Sequence, residues 1–314
     1  MGLSNQELMQ KADLAHDALR TDGGELAPEK FNTFVGRAVA ATELLPMVRT
    51  ISQSSTQEYI PKLKFTGRVS HRMPVHGVAL GVAQRSTPVL SEVELTTHKF
   101  QAECSLTYEH LEDNVMRGNL EGYLIDYMGK LIGRDTQDNM LNGDTTSADM
   151  DLNGFDGLRA LVTTYVVDAA SAVIDIDKFE EALSDLPEEF LGEMGKLRFL
   201  MSHKEMRKYR KALSARIGAL GDALLTKLSG GMAQLDVDLE SISGWPTNLA
   251  VGGNETDIIL TDPENLIVSY WRKVMMEMEK DKRAQRVHFI WTYRVGCALE
   301  EEEAAVKIEN VLVA

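Results

Sequence analysis

Between Tyr59 and Ser91 the chain carries no Asp or Glu, although acidic residues outnumber basic ones 48 to 33 over its 314 positions. The segment holds Lys62, Lys64, Arg68, Arg72 and Arg85, with His71 and His76 among them. Pro61, Pro74, Pro88, Gly67, Gly77 and Gly81 punctuate it, so no continuous helix can run through. It reads as two extended arms joined by a flexible tip. No apolar stripe is read along the arms, and a hairpin without one cannot stabilise itself. A cationic arm on an acidic protein is expected to lie on a carboxylate-rich surface, its own or a neighbour's. A solvated loop is the alternative, but one this long is uncommon in a compact domain.

The surrounding chain is of ordinary globular composition, 44% hydrophobic and 26% charged, and long enough for one large domain or two moderate ones. No apolar run approaches the roughly eighteen residues of a membrane-spanning helix. The start MGLSNQ lacks the basic leader and apolar stretch of a secretory signal. It is also a poor myristoylation site, since Gln6 stands where Ser or Thr is wanted. Cys104 and Cys297 read as buried reduced thiols, which fits synthesis in a reducing cytoplasm. A net charge of −15 repels phosphate and argues against base-specific nucleic-acid reading. Such a chain can enclose DNA only as a wall that does not grip its contents.

After the cationic segment, Val93, Leu95, Phe100, Ala102, Cys104 and Leu106 alternate with polar residues, predicting a half-buried strand whose phase adjusts near Thr96–Thr97. Asn119 can cap a long helix carrying Leu120, Tyr123, Leu124, Tyr127, Met128, Leu131 and Ile132, which ends near Asn142-Gly143. Asp177 with Glu180 forms a capping box before a helix that Pro187 ends, and Ser202 with Glu205 forms another after the strand Leu197–Met201. Gly218–Asn254 reads as loops. Leu266–Met276 and Val287–Val295 form a hairpin across the charged turn Glu277–Arg286, and the acidic run Glu300–Glu303 precedes a last strand, Ala304–Val311.

Catalytic and metal-binding patterns are weak or missing. Asp149-x-Asp151-x-Asn153-Gly154 opens like a calcium loop, but its twelfth position is Ala160 rather than a bidentate Glu, so an Asx-turn connector is expected. His203-x-Glu205 lacks the spacing that puts two ligands on one helical face, and the cap explains it better. No nucleophile elbow, Walker loop or dinucleotide fingerprint occurs. Gly230-Gly231 and Gly252-Gly253 are bare pairs, and Phe289, Trp291 and Tyr293 read as sheet core. The chain reads as a non-enzyme without cofactor or metal.

Several segments carry a resemblance when taken in order: LTYEHLEDN (106–114), NMLNGDTTSADMDLNGFDGL (139–158), LRFLMSHKEMRKYRKAL (197–213), DIILTDPENLIVSYWRKVMMEME and VHFIWTYRVGCALEEEEAAVKIENV. Together, from Leu26 to Val311, they resemble the tailed-phage major capsid family with the Hong Kong ninety-seven coat fold. The resemblance implies an α+β fold with an N-terminal arm and lead-in (1–55) and an extended loop (56–92). It implies a peripheral domain with a long spine helix and strand hairpin (93–160 and 263–296), and an axial mixed α/β domain (161–262 and 297–314). Lys62, Lys64, Arg68, Arg72 and Arg85 would make inter-subunit contacts on the extended loop. Glu277, Glu279, Lys280, Asp281, Lys282 and Arg283 would do so on the peripheral loop near three-fold axes.

By the same resemblance the chain would assemble with itself into pentamers and hexamers of an icosahedral head around double-stranded DNA. Portal and decoration proteins would join it, with no membrane involved. Only a short arm precedes the likeness, so a separate scaffolding protein is expected. The turn Glu277–Arg286 contains no Asn, so Lys–Asn cross-links are not expected. The alternatives are an encapsulin-like compartment shell and a soluble cytoplasmic enzyme with an irregular site in Gly218–Asn254.

Overall fold

The computed structural model describes residues 24–25, 42–65, 68–72, 81, 85–108, 120–215, 232–234, 237–249, 253–271 and 275–313. Strands β1 (Gly24–Glu25) and β2 (Arg49–Gln53) precede a two-stranded antiparallel ribbon, β3 (Gln57–Phe65) against β4 (Pro88–Thr96). After Thr97 comes β5 (His98–Thr107). The alternation from Val93 to Leu106, expected as one strand, is therefore two. The buried Thr97 N–H donates to the Thr56 carbonyl at 3.0 Å and closes the ribbon, and β5 then pairs in a different sheet.

Helix α1 (Leu120–Asn142) has the extent the sequence predicts, while Asn119, its expected cap, lies outside the described residues. Met128, Ile132, Met140 and Leu141 recur at helical spacing and all face the core. The helix ends where two backbones touch. Gly157 N–H donates to the Gly143 carbonyl at 2.9 Å. A Cβ on Gly143 would stand 2.4 Å from the carbonyl oxygens of Asn139 and Phe155, so only glycine fits. Between these glycines the acidic connector is held by Asx turns, Asp149 Oδ1 accepting from Asp151 N–H at 3.0 Å. Helix α2 (Leu158–Leu161) follows.

Next come β6 (Tyr165–Asp168), α3 (Ile176–Asp185), α4 (Glu188–Leu191), β7 (Arg198–Ser202) and α5 (His203–Ala215). The cap of α3 is Asp175, whose Oδ1 accepts from Ile176 N–H at 2.7 Å; Asp177, the residue expected there, lies in the first turn. At α5 the capping box is half made. Ser202 Oγ accepts from Glu205 N–H at 3.1 Å, but among the described residues neither carboxylate oxygen of Glu205 has a hydrogen-bond partner. The region expected as loops contains β8 (Met232–Gln234) and β9 (Val237–Ile242); buried Val237, Leu239 and Ile242 make β9 a core strand.

The chain closes with β10 (Glu255–Thr261), β11 (Leu266–Trp271), β12 (Met275–Asp281), β13 (Arg286–Leu299) and β14 (Ala305–Leu312). One sheet runs β1-β12-β13-β11-β2, with β5 also on β13; the other runs β6-β14-β10-β7-β9-β8. Along β13, Val287, Phe289, Trp291, Tyr293 and Val295 all point into the core shared with α1. Each such side chain contributes about 1.5–3 kcal/mol by leaving water.

The second sheet is covered on both faces. Phe199, Met201, Ile258, Leu260, Val306 and Ile308 meet α3 and α5, where Phe179 stacks edge-on against Phe199 (4.7 Å) and Tyr209 (5.2 Å). Leu200, Ile242, Ile259 and Ala305 belong to the first core. Burial on both faces is why β10 is buried without a break from Thr256 to Thr261, with Ile258, Ile259 and Leu260 as consecutive apolar residues.

Candidate functional site: a two-faced hairpin on an acidic dock

The β3–β4 register divides the hairpin into two faces, because directly opposed residues share a side and successive ones alternate. Glu58, Ile60, Lys62 and Lys64, with Leu95, Val93, Ser91 and Val89 across from them in that order, form the inner face. Ile60 and Val93 pack on a small core of Leu95, Ile267 and Ala298. Gln53 Nε2 donates to the Leu95 carbonyl at 3.0 Å and ties this base to β2.

Farther out, electrostatics replace packing. Lys62 Nζ lies 3.2 Å from Glu301 Oε1 and donates to the Glu300 carbonyl. Lys64 Nζ reaches Glu189 Oε1 on α4 at 2.8 Å and Glu303 Oε2 at 3.6 Å. Hydrogen bonding to Glu189 holds the Lys64 ammonium above its ordinary pKa, and the charges of Glu189, Glu303 and Glu301 add to it.

The dock is the connector between β13 and β14. Each of its four acids has its own partner: Arg49 on Glu300 (2.9 Å), Lys62 on Glu301, Thr163 and Thr164 hydroxyls on Glu302 (2.6 and 2.7 Å), Lys64 on Glu303. The two threonine hydroxyls hold the Glu302 carboxyl below its ordinary value. Asn265 completes the hold, donating from Nδ2 to the Glu301 carbonyl and accepting the Glu301 N–H on Oδ1, both at 2.8 Å. The run Glu300–Glu303 is thus a hub joining β2, the hairpin, α4 and the segment before β6.

The outer face differs. Leu63 and Phe65 on β3, with Pro88 and Leu90 opposite them on β4, form an apolar patch at the outer end of this face; toward the base, Tyr59 and Pro61 stand opposite Glu94 and Glu92. Leu63 is 59% exposed and Leu90 74%, so no described residue of the same chain covers them. The expectation of arms without an apolar stripe is therefore corrected at that end. The patch was hidden because the inner face also carries apolar residues, which blurs the two-residue period.

The expected tip and turn residues are placed as follows. Arg68, Arg72 and Arg85 lie beyond the ribbon and are exposed. Among the described residues Lys62 and Lys64 meet carboxylates of their own chain, whereas Arg68 and Arg72 form no ion pair. The charged turn is shorter than expected. Glu277, Glu279, Lys280 and Asp281 belong to β12, opposite Ile290, His288, Val287 and Arg286, and only Lys282–Gln285 turns. The cause is a one-sided strand, exposed Glu277 and Glu279 flanking the half-buried Met278. Lys282 and Arg283 sit in the turn, where Asp281 Oδ1 accepts from the N–H groups of Arg283 (2.8 Å) and Ala284 (3.2 Å).

Residues that sequence reading passed over join the two cores. Gln137 on α1 accepts from Glu43 and Leu44 N–H groups at 3.1 and 3.0 Å and donates to the Ser243 carbonyl at 2.8 Å. Arg159 grips Asp257 through Nε (2.9 Å) and a terminal nitrogen (2.8 Å). Among the described residues no three His, Cys, Asp or Glu side chains gather as a metal site. Among them, too, no helix is long and apolar enough to cross a membrane. Burial pushes the Cys297 thiol up to about 12, which keeps it protonated and inert.

The profile of the phage capsid family matches residues 23–310. The chain belongs to the phage capsid family. This capsid protein is 29% identical to the putative prophage capsid protein YqbE of Bacillus subtilis strain 168, across 98% of its own length and 99% of the relative's. Its fold is similar to a chain of the satellite phage P4 procapsid that includes the size determination protein Sid (TM-score 0.67, 13% identity, 99% of both chains). It is also similar to the holo-SrpI encapsulin complex of Synechococcus elongatus PCC 7942 (TM-score 0.59, 10% identity, 100% of this chain and 98% of that one). At such identities these solved structures speak for the fold alone. The capsid protein is a shell subunit with the phage coat fold.

Proposed function

We propose that this capsid protein forms pentamers and hexamers that close an icosahedral head around double-stranded DNA, each hairpin lying with its outer face on the neighbouring subunit. The exposed patch of Leu63, Phe65 and Leu90 carries this reading. A two-stranded ribbon is marginal by itself, and apolar side chains this exposed on such an arm fit a subunit contact. Contacts of this head-to-tail kind close into rings. The function is one of area and geometry rather than catalysis.

In this reading residues 1–55 are arm and lead-in, and 56–92 are the extended loop. Residues 93–160 and 263–296 are the peripheral domain; 161–262 and 297–314 are the axial one. The two sheets, each with its own core, support that division. Lys62, Lys64, Arg68, Arg72 and Arg85 would serve the hairpin contacts, and Glu277, Glu279, Lys280, Asp281, Lys282 and Arg283 those near the three-fold axes. The subunit is made in the bacterial host cytoplasm, assembles on a separate scaffolding protein, joins a portal and decoration proteins, and ends in the virion. Its net charge of −15 suits a wall that holds DNA without gripping it.

The test is a Leu63→Glu, Leu90→Glu double variant examined by electron microscopy and sedimentation. Folded subunits that no longer form particles are expected; particles at normal yield would overturn the reading. The full-length similarity to an encapsulin gives a second reading, a compartment shell around protein cargo. Purified particles decide it, through nuclease-protected DNA or packaged protein.

A further inference from the structure

A groove of about 940 Å³ runs between the start of β5, the C-terminal half of α1 and the 144–156 connector. Asp135 and Asp138 on α1 and Asp149 and Asp151 on the connector line it, against Lys99 as the cation of the lining. Phe100 and Tyr293 line it as well, their rings stacked with centroids 5.7 Å apart. Met150 stands at the rim, 91% exposed.

Two of the acids are occupied internally. Asp138 accepts from Asn142 Nδ2 at 2.7 Å, and Asp149 holds its Asx turn. Asp151 has no side-chain partner among the described residues, and Asp135 faces only the exposed Arg134 at 3.6 Å. Carboxylates beside aromatic faces and a thioether are the surroundings that a guanidinium seeks. It pairs with the former and stacks on the latter, which a lysine ammonium does less well.

The occupant is indicated by an independent observation. The chain's acid-free stretch ends in a tip where Arg68 and Arg72 are exposed and have no ion-pair partner among the described residues. A subunit's own tip is directed elsewhere. The groove begins at His98, one residue past the ribbon base at Thr97, whereas the nine residues of β3 carry the tip about 27 Å away from that base. Lys62 and Lys64 pin the ribbon to the β13–β14 connector on the way.

From this geometry we infer that the groove receives the Arg68 and Arg72 guanidinium groups of a second copy of this chain. The inference builds on the shell reading and adds the receiving surface and its chemistry. Contact made this way is salt-sensitive, because the tip is exposed before it docks. It also sets direction, since each subunit has a donor tip and an acceptor groove that are different surfaces.

A charge-swap experiment on the full chain tests it, with particle yield measured by sedimentation. Asp135→Arg with Asp151→Arg is expected to lower yield about tenfold or more, as is Arg68→Asp with Arg72→Asp, while all four changes together restore most of it. Groove variants that assemble like the unchanged chain, or a four-fold variant no better than either pair, would overturn the inference. Circular dichroism of each variant separates misfolding from lost contact. In a second measurement, Met150→Cys chains are co-assembled with Val69→Cys chains and treated with a short bismaleimide. A covalent dimer is expected, and its absence from well-formed particles counts against the contact. Should the unchanged chain form no particles at all, the shell reading fails first and independently of the groove.

Discussion

Gly296 on β13 and Thr96 at the ribbon base approach so closely that a Cβ on Gly296 would sit 2.1 Å from the Thr96 carbonyl oxygen. Ser269 Oγ closes the other side at 3.2 Å. The hairpin therefore leaves the body through a backbone contact that any side chain would force apart. Gly296→Ala is expected to destabilise the unassembled subunit by about 1–3 kcal/mol, as overpacking does, and to tilt the ribbon. Urea unfolding checks this, and an unchanged midpoint would contradict it.

Arg294-Val295-Gly296 reads in the sequence as the end of a strand, whereas β13 runs on to Leu299; the reason for its glycine is not legible, because Thr96 is 200 positions away. Elements with one buried face were read well. β13 alternates cleanly, and α1 repeats at three and four. Where both faces are apolar, as in the hairpin, the period is lost and only the register between β3 and β4 reveals the patch. β9 alternates only over Val237–Glu240, a signal too short to stand out in a glycine-rich stretch. At the candidate site, the cations of the arm and the acids at 300–303 are both evident, but their pairing spans over 200 residues and leaves no local signal.

Gln137 illustrates the same blindness, since one buried amide holds backbone groups 93 to 106 positions away. Gln137→Leu keeps the volume but leaves the N–H groups of Glu43 and Leu44 and the Ser243 carbonyl without this partner. A loss of about 3 kcal/mol is expected. Asp257→Ala, which strands Arg159, is expected to cost about as much. Thermal or urea denaturation of the unassembled subunit reads both, and losses within error of zero would show that neither joint matters.

The dock predicts a stability plateau with two edges. Thr163 and Thr164 depress the Glu302 pKa, so their contribution is present above its ordinary 4.5 and is lost as pH falls through the lower folded value. Lys64, raised by Glu189, behaves in the opposite sense. Its contribution is present below the ordinary 10.5 and is lost as pH rises through the higher folded value. Melting temperatures of Thr163→Val with Thr164→Val should trail the unchanged chain at neutral pH and converge with it at the acid edge. Those of Lys64→Met should converge at the alkaline edge. Gaps that do not vary with pH would refute the assignment.

Glu205 gives the remaining prediction, because its carboxylate is fully buried at the first turn of α5 and no described group receives it. Burial raises its pKa, and the nearby Lys208 offsets this only in part. A raised acid reverses the usual sign. The folded state holds the proton longer than the unfolded one, so stability falls as pH climbs from the ordinary 4.5 through the folded value, and the deficit then stays constant. Glu205→Gln removes the ionisation while keeping shape and the N–H to Ser202 Oγ that caps the helix. It is expected to melt above the unchanged chain at pH 7, with the advantage vanishing below pH 4.5, where both side chains are neutral. A variant that melts lower at pH 7 would mean that the carboxylate has a partner in the assembled or folded chain which the amide cannot replace.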